Sequence, residues 1–206
     1  MPPSPRHRLL VISTVLGVLL VDQLTKFWVK THMVYGEEIQ ILGRDWALIH
    51  FVENNGMAFG LSFGGMLGKL LLSLFRIGAV AILIFYLREL LRKSLASWGQ
   101  LFGLALILAG AIGNIIDSAF YGLLFSESSY HGGVAEFLPA NGGYAPFLFG
   151  RVVDMFYFPI AYGTYPDWFP FVAGEAYLFF RPVFNVADVA ICVGVGMLLS
   201  LYLRRR

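Results

Sequence analysis

The stretch WGQLFGLALILAGAIGNIIDSAF, residues 98–120, decides the class of this protein. From Leu101 to Ile112 it holds no polar side chain, and only towards its end do Asn114 and Asp117 interrupt it. A helix rising 1.5 Å per residue needs about 20 such residues to cross roughly 30 Å of hydrocarbon, and this segment is long enough. Three more segments fit the same template. They are residues 9–29, carrying Asp22 and Lys26, residues 66–87, carrying Lys69 and Arg76, and residues 183–203, carrying Asn185 and Asp188.

Composition agrees. The chain is 58% hydrophobic and 14% charged, whereas soluble domains carry about 25% charged residues. That excludes an ordinary water-soluble domain. Arg6 and Arg8 ahead of an apolar run resemble a secretory signal, but no small-residue cleavage site follows and the helix continues through Val29. The single cysteine, Cys192, allows no internal disulfide and no cysteine-rich metal site. The predicted fold is all-α and membrane-embedded, one domain over residues 1–206, with four transmembrane helices.

Basic residues set the expected orientation. Arg6, Arg8, Arg88, Arg92, Lys93, Arg204, Arg205 and Arg206 fall on one side in short segments. The opposite, longer loops hold Lys30, Arg44, Arg151 and Arg181. Both termini are therefore expected in the cytoplasm, with residues 30–65 and 121–181 outside. Residues 38–60 contain short β-like runs broken by Gly and Asn-Asn-Gly, which predicts a small sheet. Residues 121–181 hold 18 of the 33 aromatic side chains. Disordered segments are poor in aromatics, so this loop is expected to fold and rest on the bilayer.

Charge inside hydrocarbon costs several kcal/mol, so intramembrane ionisable groups are candidates for function. With this orientation Asp22, Lys26, Asn114, Asp117, Asn185 and Asp188 gather in the outer leaflet, Asp188 about six residues below the outer end of its helix. A transport pathway places such groups near the midplane instead. Asp22 and Lys26 are spaced to pair on one helix, and Asn114–Asp117 and Asn185–Asp188 are each spaced to share a face. All of these groups also fit as hydrogen-bonding glue between helices. Asp154 lies in Val152-Val153-Asp154-Met155, where apolar neighbours desolvate it and favour a shared proton. Two carboxyls in such a setting divide peptide hydrolysis between a general base and a general acid. Spacing alone leaves open whether Asp154 and Asp188 meet. Histidines 7, 32, 50 and 131 lack metal-ligand spacing, and no nucleophile elbow, phosphate loop or nucleic-acid patch occurs.

Taken in order, Val21-Asp22-Gln23-Leu24-Thr25-Lys26, Asn54-Asn55-Gly56-Met57-Ala58-Phe59, Gly113-Asn114-Ile115-Ile116-Asp117, Val152-Val153-Asp154 and Phe184-Asn185-Val186-Ala187-Asp188 make the chain similar to lipoprotein signal peptidase (signal peptidase II, aspartyl peptidase family A8) over essentially its whole length. The resemblance implies an enzyme of the bacterial cytoplasmic (inner) membrane that needs no metal or other cofactor. Such enzymes remove the signal peptide of diacylglyceryl-modified prolipoproteins just before the lipidated cysteine. It implies Asp154 and Asp188 as the catalytic pair, with Asp22, Lys26, Asn54, Asn114, Asp117 and Asn185 supporting them or binding the substrate backbone. Gly56, Ala58 and Phe59 would shape an extracytoplasmic β-cradle. Membrane lipids and the family's cyclic peptide inhibitors are the other implied partners, and nucleic acid is not among them.

Three departures bear on substrate clamping. Ser118 stands where the family commonly has arginine, Glu53 stands where a basic residue is frequent, and Met57 replaces a smaller side chain. Arg76 is expected to supply the charge that Ser118 lacks by facing Asn114 and Asp117, or else to snorkel outwards beside Lys69. The competing readings are a proton-coupled transporter, which needs carboxylates strung across the membrane, and a scaffold subunit, which leaves Asp154 and Asp188 unexplained.

Overall fold

The computed structural model describes residues 5–55, 65–93 and 96–204. Among these residues four helices are long and apolar enough to cross a membrane: α1 (Pro5–His32), α2 (Gly65–Lys93), α3 (Trp98–Ile116) with its extension to Leu124, and α5 (Val186–Leu203). A reciprocal cap between Ser97 and Gln100 starts α3. At its far end α3 widens into a π-helical turn, Asp117–Tyr121, and a last α-turn, α4 (Gly122–Leu124).

Helix α3 is the buried centre, with α1, α2 and α5 packed around it. Glycines make the closest approach possible. A β-carbon on Gly110 would lie 2.2 Å from the Ala187 carbonyl oxygen of α5, and one on Gly113 would lie 2.7 Å from a carboxylate oxygen of Asp22. The outer faces remain apolar and bare, with Leu9, Ile12, Leu16, Leu20 and Leu24 of α1 all more than half exposed. Water would not tolerate such a surface, and hydrocarbon does.

A sheet of order β1-β2-β3-β6 stands at one end of the bundle, formed by β1 (Glu38–Ile41), β2 (Arg44–Asn54), β3 (Val152–Tyr157) and β6 (Val183–Phe184), all antiparallel. A separate hairpin pairs β4 (Ala161–Thr164) with β5 (Ala176–Phe179). The residue 38–60 region therefore supplies only two of the four sheet strands. Of the others, β3 lies in the 121–181 loop, which was expected to fold, and β6 lies at the start of the segment expected to be the fourth helix. Two apolar clusters hold the molecule. One lies within the bundle around Leu101, Ala105, Leu108, Val11 and Leu87. The other joins bundle to sheet through Val29, Met33, Phe51, Tyr121, Phe125, Val153 and Met155.

The fourth helix starts at Val186 rather than near 183, because Val183–Phe184 pairs with β3 and Asn185 caps the helix. Asp188 consequently sits in the first turn, shallower than expected. Asn185 and Asp188 meet as a cap rather than along a helix face.

Gly110→Leu is expected to force α3 and α5 apart and to destabilise the protein by about 1–3 kcal/mol or more. Gly17→Ala, with nothing within 4 Å of an added β-carbon, should leave stability unchanged or slightly raised. Thermal unfolding of both variants in detergent checks the contrast.

Candidate active site

Between the two apolar clusters lies a single polar layer. Lys26, on α1, is fully buried, and its ammonium reaches Asp22 at 2.9 Å and Asp117 at 2.8 Å. It also donates to Asn114 Oδ1 at 2.9 Å. An uncompensated charge in a dry interior costs several kcal/mol, so two carboxylates and a carbonyl oxygen answer it here. Gln23 Nε2 donates to Asp117 Oδ1 at 3.0 Å and Asp22 Oδ2 at 3.1 Å. Asp22 Oδ1 accepts the Ala187 N–H of α5 at 2.8 Å, and Asp117 Oδ2 accepts the Val153 N–H of β3 at 3.2 Å. One ion cluster thus ties α1, α3, α5 and the sheet together.

The π-helical turn places Asp117 where it can do this. Its carbonyls are met by the returning chain: Gly150 N–H donates to Ser118 O at 2.8 Å and Leu148 N–H to Ala119 O at 3.4 Å. Gly150 has no alternative at that point, since a β-carbon would come within 2.3 Å of the Asp117 carbonyl oxygen. Three residues further on the chain has become β3. Alternation along the strand sends Val153 and Met155 into the apolar cluster and Asp154 to the opposite face.

On that face Asn185 joins the two carboxyls of interest. Its side-chain nitrogen donates to Asp154 Oδ1 at 2.7 Å, while its backbone N–H donates to Asp188 Oδ2 at 3.2 Å. Asn185 Oδ1 in turn accepts the Asp188 N–H at 2.9 Å. Asn114 Nδ2 donates to Asp188 Oδ1 at 2.9 Å, linking it to the Lys26 cluster. Asn54, diagonal to Asp154 across the β2–β3 ladder, donates to Asp154 Oδ2 at 3.3 Å. Asp154 is buried and Asp188 half-buried, so the group reaches the surface through Asp188. Burial and then the neighbouring Asp188 carboxylate push the Asp154 carboxyl up to about 7.

Asp22, Lys26, Asn54, Asn114, Asp117, Asp154, Asn185 and Asp188 therefore form one connected network. Gly56, with Met57, Ala58 and Phe59, lies outside the described residues. The charge beside Asp117 belongs to Lys26. Arg76, expected to face Asn114 and Asp117 or else to snorkel outwards, has Asp188, Asp154 and Asp117 among the charges around it. Gln23 was not singled out from the sequence, although it stands within the Asp22–Lys26 run.

Lys30 was expected in an outer loop but is a buried residue of the last turn of α1. It bonds Glu53 and donates to Ser128 Oγ at 2.8 Å. Its spacing of four from Lys26, itself four from Asp22, was the available signal. Glu53 faces away from Asp154 and also meets Arg151 at 3.4 Å, so this acid has two cations around it.

Four spans packed on a glycine-lined centre, with two carboxyls joined through Asn185 at one end of the bundle, define a multi-pass membrane protein with the makings of an acid–base site. Residues 14–204 match the family profile described as signal peptidase (SPase) II. The chain belongs to this family of membrane peptidases. It is 50% identical to the lipoprotein signal peptidase of Porphyromonas gingivalis over 94% of this chain and 83% of that one. The lipoprotein signal peptidase of Amoebophilus asiaticus is 38% identical, over 87% of this chain and 72% of its own. Two solved bacterial membrane enzymes share the fold. One has a TM-score of 0.60 at 21% identity, covering 94% of this chain and 87% of that one. The other has a TM-score of 0.59 at 23% identity, covering 95% and 94%.

Lys26→Met keeps the stem but strands Asp22 and Asp117 in the interior. It is expected to cost about 3–5 kcal/mol, the usual consequence of removing one partner from a buried ion pair. Denaturation in detergent measures it, and a loss below about 1 kcal/mol would mean that the cluster is not the anchor described.

Proposed function

We propose that this chain removes the signal peptide of diacylglyceryl-modified prolipoproteins, cutting before the lipidated cysteine, with Asp154 and Asp188 activating a water molecule. The observation that carries this reading is Asn185, which bonds both carboxyls at once. Membership of the signal peptidase II family supports the substrate class.

The chemistry divides by environment. With its carboxyl pushed up to about 7, Asp154 is the member that holds the proton, which it aims at the scissile carbonyl oxygen. Asp188, half-buried and accepting from Asn114 and the Asn185 backbone, takes a proton from the attacking water. Hydroxide adds to the carbon and the Asp154 proton neutralises the oxyanion. The C–N bond then breaks, Asp188 returns its proton to the amine of the cysteine, and Asp154 recovers its own from the collapsing hydroxyl. Lys26, Asp22, Asp117, Asn114, Asn185 and Asn54 hold the pair in place and touch no reacting bond in this scheme.

The same reading puts the termini in the cytoplasm and the site at the outer leaflet of the bacterial inner membrane, because basic residues concentrate at the other helix ends. A substrate with its signal segment in the bilayer presents its cut there. Its acyl chains stay in lipid.

The test is cleavage of a diacylglyceryl-modified prolipoprotein by purified protein in detergent, with unlipidated substrate and a chelator as controls. Asp154→Asn and Asp188→Asn should each lower kcat by about 10²–10⁴-fold with the fold intact, and chelator should have no effect. Retained cleavage in either variant removes that aspartate from the dyad, with Asp117 the next candidate. The pH profile gives a separate check. The proton stays on Asp154 below about pH 7 and leaves above it, so kcat should fall about tenfold per unit well above that point. A rate that keeps rising there would assign the acid elsewhere.

A further inference from the structure

Beside the polar layer, where α2 meets the segment leading into β3, lies a cleft of about 420 Å³. That is within the range of ligand sites, about 300–1,000 Å³. Its lining combines polar Asn55, Lys69 and Arg151 with apolar Met66, Pro146 and Phe149. Two cations therefore face one cavity, and they lie near enough for their charges to oppose each other.

The local charge count does not balance. Arg151 reaches Glu127 at 2.9 Å and Glu53 at 3.4 Å. Glu53 also serves buried Lys30. Three cations, Lys30, Arg151 and Lys69, thus stand against two carboxylates, Glu53 and Glu127. The surplus charge is that of Lys69, whose ammonium donates at 3.1 Å to the neutral side-chain oxygen of Asn55. Such an arrangement attracts an anion.

The position says which anion. Asn55 follows Asn54, which bonds Asp154. Arg151 is three residues before Asp154 on the same extended chain, about 10 Å at 3.3 Å per residue. An extended peptide cut at Asp154 and Asp188 spans that distance in about three residues. The cleft is at the same end of α2 as the sheet, so it is the released lipoprotein side of the substrate that passes it.

We propose that this cleft is a substrate subsite in which Lys69, with Arg151 behind it, selects an acidic side chain about three residues after the lipidated cysteine. The apolar lining of Met66, Pro146 and Phe149 takes the methylene stem of that residue. The inference rests on the peptidase reading above and adds a sequence preference to it.

The experiment uses the full-length protein in phosphatidylcholine nanodiscs, with and without phosphatidylglycerol. Diacylglyceryl-modified substrates carry Glu, Gln or Lys at about the third position after the cysteine. Wild type should cut the Glu substrate about fivefold better than the Gln substrate in kcat/KM, mainly through KM. That is the factor given by an ion pair worth about 1 kcal/mol. The Glu-to-Gln ratio should collapse towards one in Lys69→Gln. In Lys69→Glu the order should invert so that the Lys substrate is preferred, a reversal that loss of fold cannot produce. Equal rates for the three substrates with wild type overturn the subsite. So does a ratio that survives Lys69→Gln. A Lys69-dependent response to phosphatidylglycerol without any substrate preference assigns the cleft to a lipid phosphate and also overturns it. Failure of wild type to cut every substrate would instead remove the peptidase reading beneath it.

Discussion

The ammonium of Lys26 is the point from which this structure is organised. A full charge in the dry middle of a bundle is tolerable only if opposite charge meets it at contact distance, and the cost of failure is several kcal/mol. Asp22 and Asp117 satisfy it from α1 and α3. The other oxygen of Asp22 then reaches the first turn of α5, while the Asp117 oxygen that meets Lys26 also accepts from the backbone of β3. The helices and the sheet are held in register by one electrostatic requirement, with apolar clusters closing over it on either side.

Close packing makes that requirement possible. Gly110 and Gly113 bring α3 against α5 and Asp22, and Gly150 lets the returning strand lie on the π-helical turn. Strand alternation does the rest: Asp154 and Asn54 share the face that meets Asn185, whereas Glu53 looks the other way towards Lys30 and Arg151. The acid at position 53 therefore leaves the Asp154 face undisturbed. It anchors the long segment before β3 through Ser128, Glu127 and Arg151.

Much of this could be read from the chain. The four spans followed from length and apolar content, and the layer of Asp22, Lys26, Asn114, Asp117 and Asp188 followed from its position along them. Other features were hidden for physical reasons. Asn185 reads as a helical residue because capping depends on which residue first leaves the strand, and β6 is too short to signal itself. Lys30 reads as a loop cation because burial of lysine requires a partner, and Glu53 is distant in sequence. The π-helical turn has no local signature, since the carbonyls it frees are met by residues 144–150. Arg76 was matched to Asp117 because Ser118 lacks the family's positive charge, and the cation in contact with that carboxylate is Lys26.

One consequence of the strand-borne Asp154 concerns the life of the molecule before it is complete. Asp188 arrives with the last helix, and Asp154 is positioned only when β3 pairs with β2. The asparagine that joins them stands at the junction of β6 and α5. A partly assembled copy therefore holds the two carboxyls apart, and the network closes only when the paired strands and the fourth span have both arrived.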